Sequence, residues 1–111
     1  MAELHAAARS GSALLVLDEA HAFGVIGPGG RGAAAAAGIA AEPDLIRTVT
    51  LSKALAGQGA AVLDAPEVIV TLVDTGRGFI FGTGLAPPCA GAALAALEVV
   101  AAEEDLRVSA P

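Results

Sequence analysis

Two short polar segments contain the residues whose types and spacing could do chemistry. One is Asp18-Glu19-Ala20-His21, which follows an apolar run, and the other is Thr50-Leu51-Ser52-Lys53, which follows the next apolar run. A lysine can form a Schiff base with an aldehyde, and an acid can pair with a protonated pyridine nitrogen. An acid, a histidine and a lysine placed together are therefore the minimal set for holding pyridoxal phosphate (PLP), and Asp18, His21 and Lys53 are the candidates.

Lys53 is the candidate catalytic residue, because it is the only lysine in the chain and is flanked by apolar residues. Partial burial makes an amine a better Schiff-base nucleophile. The hydroxyl groups of Thr50 and Ser52 are placed to hydrogen-bond a phosphate or phenolic oxygen of the cofactor. Taken singly, a lysine is more often a surface residue, Asp18 a helix cap and His21 a core histidine. Their combination at the ends of two strands favours the functional interpretation.

Two other motifs suggest nucleotide binding, but neither has the surrounding sequence that this function requires. The segment 18–21 is also the acidic box of a helicase family, but that chemistry needs a G-x-x-x-x-G-K-[ST] loop, which the sequence lacks. The segment 27–32 matches G-x-G-x-x-G, a pattern that should turn directly off its strand. Here nine residues separate Leu17 from Gly27, and Pro28 lies inside the turn. We interpret this segment as a flexible loop near a site, with Arg31 available for an ion pair.

The elements that position these residues are predicted from the apolar runs. Each run has the length of a buried strand, so both polar segments are expected at carboxyl ends of strands, where open α/β sheets bind ligands. Strands alternating with helices predict an α/β fold. The run Ala13–Leu17 is expected to be covered on both faces, and Lys53 is expected at or near a helix start. The predicted strands are 13–17, 45–51, 60–63 and 79–81, and the predicted helices are 2–10, 33–37, 64–76 and one beginning at Pro87 or Pro88, with the acidic cluster 103–105 at its solvated end.

The composition restricts the classes of protein to which the chain could belong. It has 111 residues, enough for one domain at most, and a net charge of −6, which argues against nucleic acid as a partner. Although 55% of the residues are hydrophobic, no uncharged apolar run reaches the roughly 18 residues of a membrane span. The chain does not start like a secretory signal, so a cytoplasmic location is the default expectation. Its single cysteine, Cys89, excludes an internal disulfide and cannot build a metal site alone.

Taken together, these motifs resemble the α-oxoamine synthase family of fold type I PLP-dependent enzymes. The matching segments follow the family's order and cover nearly the whole chain: 15–21, 24–32, 43–45, 50–55, 58–59, 79–81 and 83–87. The resemblance implies an α/β fold, namely part of the mostly parallel sheet of the large domain of a fold type I PLP-dependent transferase. Phe23, Ala56 and Ala60 depart from the family's pattern, the last two by replacing glycines that often follow the lysine.

The resemblance also assigns roles to individual residues. Lys53 would be the Schiff-base lysine, which also moves the proton on the substrate α-carbon. Asp18 would keep the pyridinium nitrogen protonated, so that the ring can accept electrons, and His21 would bond the phenolic oxygen of the cofactor. Thr50 would contact the cofactor near the lysine. Thr83 corresponds to a position that helps to bind substrate, reached across the interface of a homodimer.

The reaction implied by the resemblance is the decarboxylative condensation of an amino acid with an acyl thioester of coenzyme A or acyl carrier protein. In some members of the family the substrates are L-alanine and a pimeloyl thioester; sister enzymes use glycine or serine. Family members are considerably longer, so residues 1–111 are expected to be a central fragment of the PLP-binding large domain. The ring-stacking histidine, the phosphate-binding glycine turn and the C-terminal small domain are expected to lie outside it. A silent, truncated remnant is the alternative, and we expect the chain alone to be inactive.

Overall fold

The computed structural model of the chain describes residues 1–102. Within them, the strands are β1 (Leu15–Asp18), β2 (Leu45–Thr50) and β3 (Ala60–Leu63), and the helices are α1 (Ala2–Ser10), α2 (Ala33–Ala36), α3 (Pro66–Thr75), α4 (Arg77–Ile80) and α5 (Pro87–Ala102). The glycine-rich loop between β1 and α2 includes a single 3-10 turn, Pro28–Gly30. The acidic cluster 103–105, predicted as a solvated helix end, lies outside the described residues. No helix in residues 1–102 combines the length and the apolar character that crossing a membrane requires.

The three strands form one mixed sheet in the order β1-β2-β3. β1 and β2 are parallel, paired from Leu15 with Leu45 to Asp18 with Thr48. β2 and β3 are antiparallel, with Thr50 opposite Ala60. The predicted α/β class is confirmed, with one parallel and one antiparallel pairing among the described strands. Because β1 and β2 are parallel, their carboxyl ends meet at one edge of the sheet, the carboxyl edge, and their starts meet at the opposite edge, the amino edge.

The core lies on one face of the sheet, under the short helix α2. Ala34 is fully buried there, and Leu45 and Ile39 are 3% and 8% exposed. Leu15 and Leu17 of β1 pack against this cluster. Alternate residues of β1 and β2 therefore face the core, as the period of two in a strand requires.

The prediction that β1 is covered on both faces is wrong for the described residues. Val16, which faces away from the core, is 62% exposed, and Leu14 just before the strand is 57% exposed. A continuous apolar run is typical of a strand that is covered on both faces, but it does not indicate which segment of a protein covers each face. Within residues 1–102, one side of β1 is packed and the other is open.

The predicted strand at 79–81 is also wrong, because Phe79 and Ile80 belong to helix α4 and Phe81 caps its carboxyl end. The amides of Phe79 and Ile80 both donate to the Gly76 carbonyl at 2.9 Å, and the Phe81 amide donates to the Arg77 carbonyl at 3.1 Å. The Arg77 guanidinium also lies over the Phe81 ring, 5.9 Å from its centre. Aromatic residues favour strands only where a neighbouring strand is there to pair with them. Here the local helical hydrogen bonds prevail.

Candidate functional site

Asp18 lies where the sequence predicts it, as the last residue of β1 at the carboxyl edge. Its side chain is exposed, and its Oδ1 accepts a hydrogen bond from the Ala20 amide at 2.9 Å. The chain then turns, since the amides of Ala22 and Phe23 both donate to the Glu19 carbonyl at 2.9 Å. This turn brings His21 round to the same side of the edge as Asp18.

Lys53 lies in a tight loop between β2 and β3, so its prediction at or near a helix start is wrong. The loop, residues 51–59, is closed by hydrogen bonds from the Leu51 amide to the Gly59 carbonyl at 2.9 Å and from the Gly57 amide to the Leu51 carbonyl at 2.7 Å. A further bond runs from the Ala56 amide to the Lys53 carbonyl at 2.9 Å. Ala56 has a φ of 48°, in the left-handed region that favours glycine. Lys53 is thus presented by a closed loop with one strained alanine, and its side chain is exposed rather than partly buried.

Thr50 and Ser52 form a local hydroxyl pair beside this loop. Their Oγ atoms are 2.8 Å apart, the Ser52 amide donates to the Thr50 Oγ1 at 3.3 Å, and the Thr50 hydroxyl donates to the Gly59 carbonyl at 3.3 Å. These bonds hold the start of the loop against its end. A contact of either hydroxyl with a cofactor stays a prediction.

Asp18, His21 and Lys53 meet in one cavity. The Lys53 Nζ lies 2.8 Å from the His21 Nε2, although 32 residues separate them in the chain. When Lys53 is protonated, its ammonium donates to an unprotonated Nε2. The cavity is open and measures about 550 Å³, and it is lined by Asp18, Ala20, His21, Ala22, Ile26 and Lys53. The structure therefore brings together the acid, the histidine and the lysine that the sequence singled out.

Thr83 is not among the residues that line this cavity. It is exposed and lies in the segment between α4 and α5. The role predicted for it involves a second copy of the chain, so its place in the single chain does not decide that role. Substrate binding by Thr83 stays a prediction.

The sequence does not predict the buried ion pair between Glu19 and Arg47. Glu19, directly after Asp18, is 0% exposed; its Oε2 accepts from the Arg47 Nε at 2.7 Å, and its Oε1 accepts from the Ala34 amide at 2.8 Å. The signal that could have revealed it is Arg47 itself, a cation in the middle of an apolar strand, which requires a buried partner. Among residues 1–102, Arg31 makes no ion pair; its carbonyl instead accepts from the Arg47 Nη2 at 2.6 Å.

A second charged cluster lies at the amino edge. The buried His5 bonds Asp44 through its Nε2 at 2.7 Å, and Arg9 contacts Glu42 at 2.8 Å and Asp44 at 3.5 Å. The hydrogen bond from His5 holds the pKa of the Asp44 carboxyl below its ordinary value of 3.8. Nitrogen and oxygen atoms of His5, Glu42 and Asp44 approach within 4.8 Å of one another, but both carboxylates are already in contact with the Arg9 guanidinium. We interpret this cluster as the anchor of α1.

Comparison with known proteins shows the family to which the chain belongs. The family model described as aminotransferase class I and II matches residues 1–109. The chain belongs to this family. It is 56% identical to an 8-amino-7-oxononanoate synthase from Mycolicibacterium vanbaalenii over 97 residues, which are 87% of this chain and 26% of that relative. The chain thus spans about a quarter of the length of the curated relatives it matches.

Solved structures of this family share the fold. A crystal structure of 8-amino-7-oxononanoate synthase from Francisella tularensis matches with a TM-score of 0.80 and 35% identity, over 96% of this chain and 32% of that one. A serine palmitoyltransferase from S. paucimobilis, described with bound PLP and myriocin, matches with a TM-score of 0.86 and 26% identity, over 96% of this chain and 27% of that one. The predicted fold type I transferase architecture is confirmed.

The residues around the cavity fit PLP by their chemistry. PLP has a pyridine nitrogen, a phenolic oxygen and an aldehyde. The cavity presents a carboxylate, an imidazole and a primary amine, which suit these three groups respectively. All three side chains are exposed toward this space, and the Lys53 Nζ and His21 Nε2 are mutually in hydrogen-bond contact. The same donor set would not suit a metal ion, since a lysine ammonium repels a cation.

Proposed function

We propose that this chain supplies the lysine side of the PLP site of an 8-amino-7-oxononanoate synthase, an enzyme of biotin biosynthesis. The observation that carries the proposal is the contact of 2.8 Å between the Lys53 Nζ and the His21 Nε2, in a cavity that Asp18 also lines. The 56% identity to a synthase of this name supports the choice of enzyme. The chain spans about a quarter of that relative, so the activity is proposed for the whole enzyme.

Each side chain of the cavity has a distinct task in this proposal. Lys53 would hold the cofactor as a Schiff base and then move the proton on the substrate α-carbon. Asp18 would pair with the pyridinium nitrogen, and His21 would donate to or accept from the phenolic oxygen. Thr50 and Ser52 would add hydroxyl contacts beside the lysine. PLP, when bound, supplies an electron sink for the charge that develops at the α-carbon.

The proposed reaction joins L-alanine to pimeloyl-CoA or pimeloyl acyl carrier protein. The α-carbon–hydrogen bond of alanine breaks, a bond forms between that α-carbon and the acyl carbon, and the carbon–sulfur bond breaks, with the departing thiolate taking up a proton. The alanine carboxylate then leaves as CO₂, and a proton takes its place on the α-carbon. The products are 8-amino-7-oxononanoate, CO₂ and the free thiol of the carrier. As in the family that the sequence resembles, we expect a cytoplasmic homodimer in which Thr83 of one copy serves the site of the other.

The test of the site is chemical labelling with PLP followed by borohydride reduction and peptide mapping. The chain contains two kinds of primary amine, the Lys53 side chain and the amino terminus, so the amino terminus serves as an internal reference for unselective labelling. We expect the Lys53 adduct to dominate, and we expect Lys53→Arg to abolish it while the reference label persists. Equal labelling of both amines in the wild-type chain would overturn the assignment of Lys53.

The test of the activity uses a chimera, in which this chain replaces the segment that it matches in the Mycolicibacterium vanbaalenii synthase. We expect the chimera to condense L-alanine with a pimeloyl thioester and Lys53→Arg to abolish turnover. The 111-residue polypeptide alone should turn over little, because its cavity is open to solvent. Preference for glycine or serine with another acyl thioester would indicate a sister enzyme, such as glycine C-acetyltransferase or 5-aminolevulinate synthase. An inactive chimera that folds would indicate a silent remnant.

A further inference from the structure

The carboxylate of Glu19 does not line the cavity, although the residues on either side of it in the chain, Asp18 and Ala20, do. Glu19 is 0% exposed, whereas its neighbours Asp18 and His21 are exposed. Both of its oxygens are engaged, Oε1 by the Ala34 amide and Oε2 by the Arg47 guanidinium. A fully buried carboxylate with both oxygens bonded is not available to a substrate or cofactor. Any effect of Glu19 on the chemistry must therefore pass through the groups that it holds.

Glu19 joins three parts of the chain at one point. Its amide donates to the Thr48 carbonyl at 2.8 Å, which fixes it to β2, and its carbonyl accepts the two amides that close the turn around His21. Its side chain reaches the first residues of α2 through the Ala34 amide. Arg47, bound to the same carboxylate, also holds the Arg31 carbonyl at 2.6 Å. Both ends of the loop 20–32, which carries His21 and Ile26 to the cavity, are thus fastened to Glu19.

Gly32 shows that the loop is shaped around this carboxylate. Its φ is +93°, and a Cβ placed there would lie 2.7 Å from the Glu19 Oε1 and 2.9 Å from its Cδ. The amide of Gly32 also closes the loop by donating to the Ile26 carbonyl at 2.8 Å. The last glycine of the G-x-G-x-x-G segment therefore makes room for a buried side chain, and no nucleotide phosphate is needed to explain it.

We propose that Glu19, held by Arg47, is a positioning residue for His21: it fixes the turn and loop that set the His21 imidazole against Lys53. The proposal rests on the proposed function, since it concerns the PLP site that His21 and Lys53 line. In a merely structural role, Glu19 would add to stability and leave the affinity of the folded protein for PLP unchanged. In a positioning role, its loss acts on PLP binding through His21.

The test is a double-mutant cycle in the chimera, with the affinity for PLP measured by fluorescence titration of protein shown to be folded by circular dichroism. The variants are Glu19→Gln, His21→Ala and their combination, and the matched control is Glu42→Gln, a carboxylate paired with Arg9 at the amino edge. Residues that orient metal ligands alter affinity about 10- to 100-fold when mutated. By analogy we expect Glu19→Gln to weaken PLP binding about tenfold and Glu42→Gln to leave it unchanged.

The combined variant distinguishes a positioning role from a structural one. If Glu19 acts through His21, then Glu19→Gln has little further effect once His21 is alanine. Additive losses, or a Glu19→Gln variant that melts earlier but binds PLP as tightly as the wild type, would overturn the proposal. Should Glu19→Gln fail to fold, Arg47→Lys, which keeps the buried charge, is judged by the same two criteria. The proposed function stands or falls separately, by the labelling of Lys53 in the wild-type chain.

Discussion

The two edges of the β1–β2 pair both carry charged clusters, but they use them differently. At the amino edge, His5, Arg9, Glu42 and Asp44 bond to one another, with Arg9 55% exposed. At the carboxyl edge, the structural ion pair is buried, with the Glu19 side chain 0% and the Arg47 side chain 11% exposed. At the same edge, Asp18, His21 and Lys53 line an open cavity.

The two edges differ in whether the residues that could do chemistry are separate from the residues that hold the structure together. At the amino edge, the charged cluster has one role, which is to attach α1 to the start of β2. The carboxyl edge divides the tasks, since a buried carboxylate holds the loops and the exposed groups remain available for chemistry. Buried and exposed ion pairs also differ in energy, because solvent screens the exposed pairs and leaves the buried pair strongly coupled.

The largest effect is expected when one charge of the buried pair is removed. Arg47→Leu would leave the Glu19 carboxylate buried without its cation, a change that typically costs about 3–5 kcal/mol. Arg9→Leu at the amino edge is the matched control, and exposed ion pairs contribute less than about 1 kcal/mol. Native-state hydrogen exchange has a reporter at each edge: the Glu19 amide, bonded to Thr48, and the Leu15 amide, bonded to Asp44.

We expect Arg47→Leu to accelerate exchange of the Glu19 amide far more than Arg9→Leu accelerates exchange of the Leu15 amide. Equal acceleration at the two edges would contradict the energetic contrast between them.

A smaller effect is expected at the amino edge when the pH is lowered. Because the pKa of Asp44 lies below 3.8 in the folded chain, ionised Asp44 favours folding. This stabilisation is complete at pH values well above 3.8 and is lost as the pH falls through the lowered pKa. After correction for the intrinsic exchange rate, the Leu15 amide should therefore exchange faster as the pH falls through the lowered pKa of Asp44. In Asp44→Asn this dependence should vanish; the same dependence in both proteins would assign it to another group.

The smallest effect is expected from two residues with left-handed backbone, one near each edge. Ser12, before β1, has a φ of 52°, and Ala56, in the Lys53 loop, has a φ of 48°. Replacing either by glycine relieves strain of about 1–2 kcal/mol and adds freedom to the unfolded chain that costs roughly 0.5–1 kcal/mol. We expect both variants to be slightly more stable in thermal melting. Only Ala56→Gly should alter the rate of PLP labelling at Lys53, and an equal change in Ser12→Gly would contradict this.

The strands and the three cavity residues could be predicted from the sequence because their signals are local. β3 has the predicted bounds, Ala60–Leu63, and β2 ends one residue earlier than predicted, at Thr50. The carboxyl ends of two parallel strands lie at the same edge of the sheet whatever the conformation of the connecting loops. The sequence therefore predicts that Asp18 and Lys53 lie close together. Their convergence with His21 on one cavity confirms that expectation, although it does not test the role of each group.

The errors arose where the outcome depends on distant partners. The sequence assigns no role to Glu19, and only the fold shows that its side chain turns inward to meet Arg47 on the next strand. The exposure of Val16 could not be predicted, since a strand's sequence does not reveal which other segments cover it. Phe79 is the exception, because its helical conformation depends on a local hydrogen bond to the carbonyl of Gly76, which its aromatic character does not predict.

The Glu19–Arg47 pair also specifies how the strands align. Arg47 lies opposite Leu17 in the parallel pairing, and Glu19, two residues further along, points to the same face. If β2 slipped by one residue against β1, Arg47 would turn to the other face and the buried carboxylate would lose its cation. A four-residue strand such as β1 has few other contacts that oppose a shift in register. A single inward-facing charge therefore distinguishes the native register from its nearest competitors.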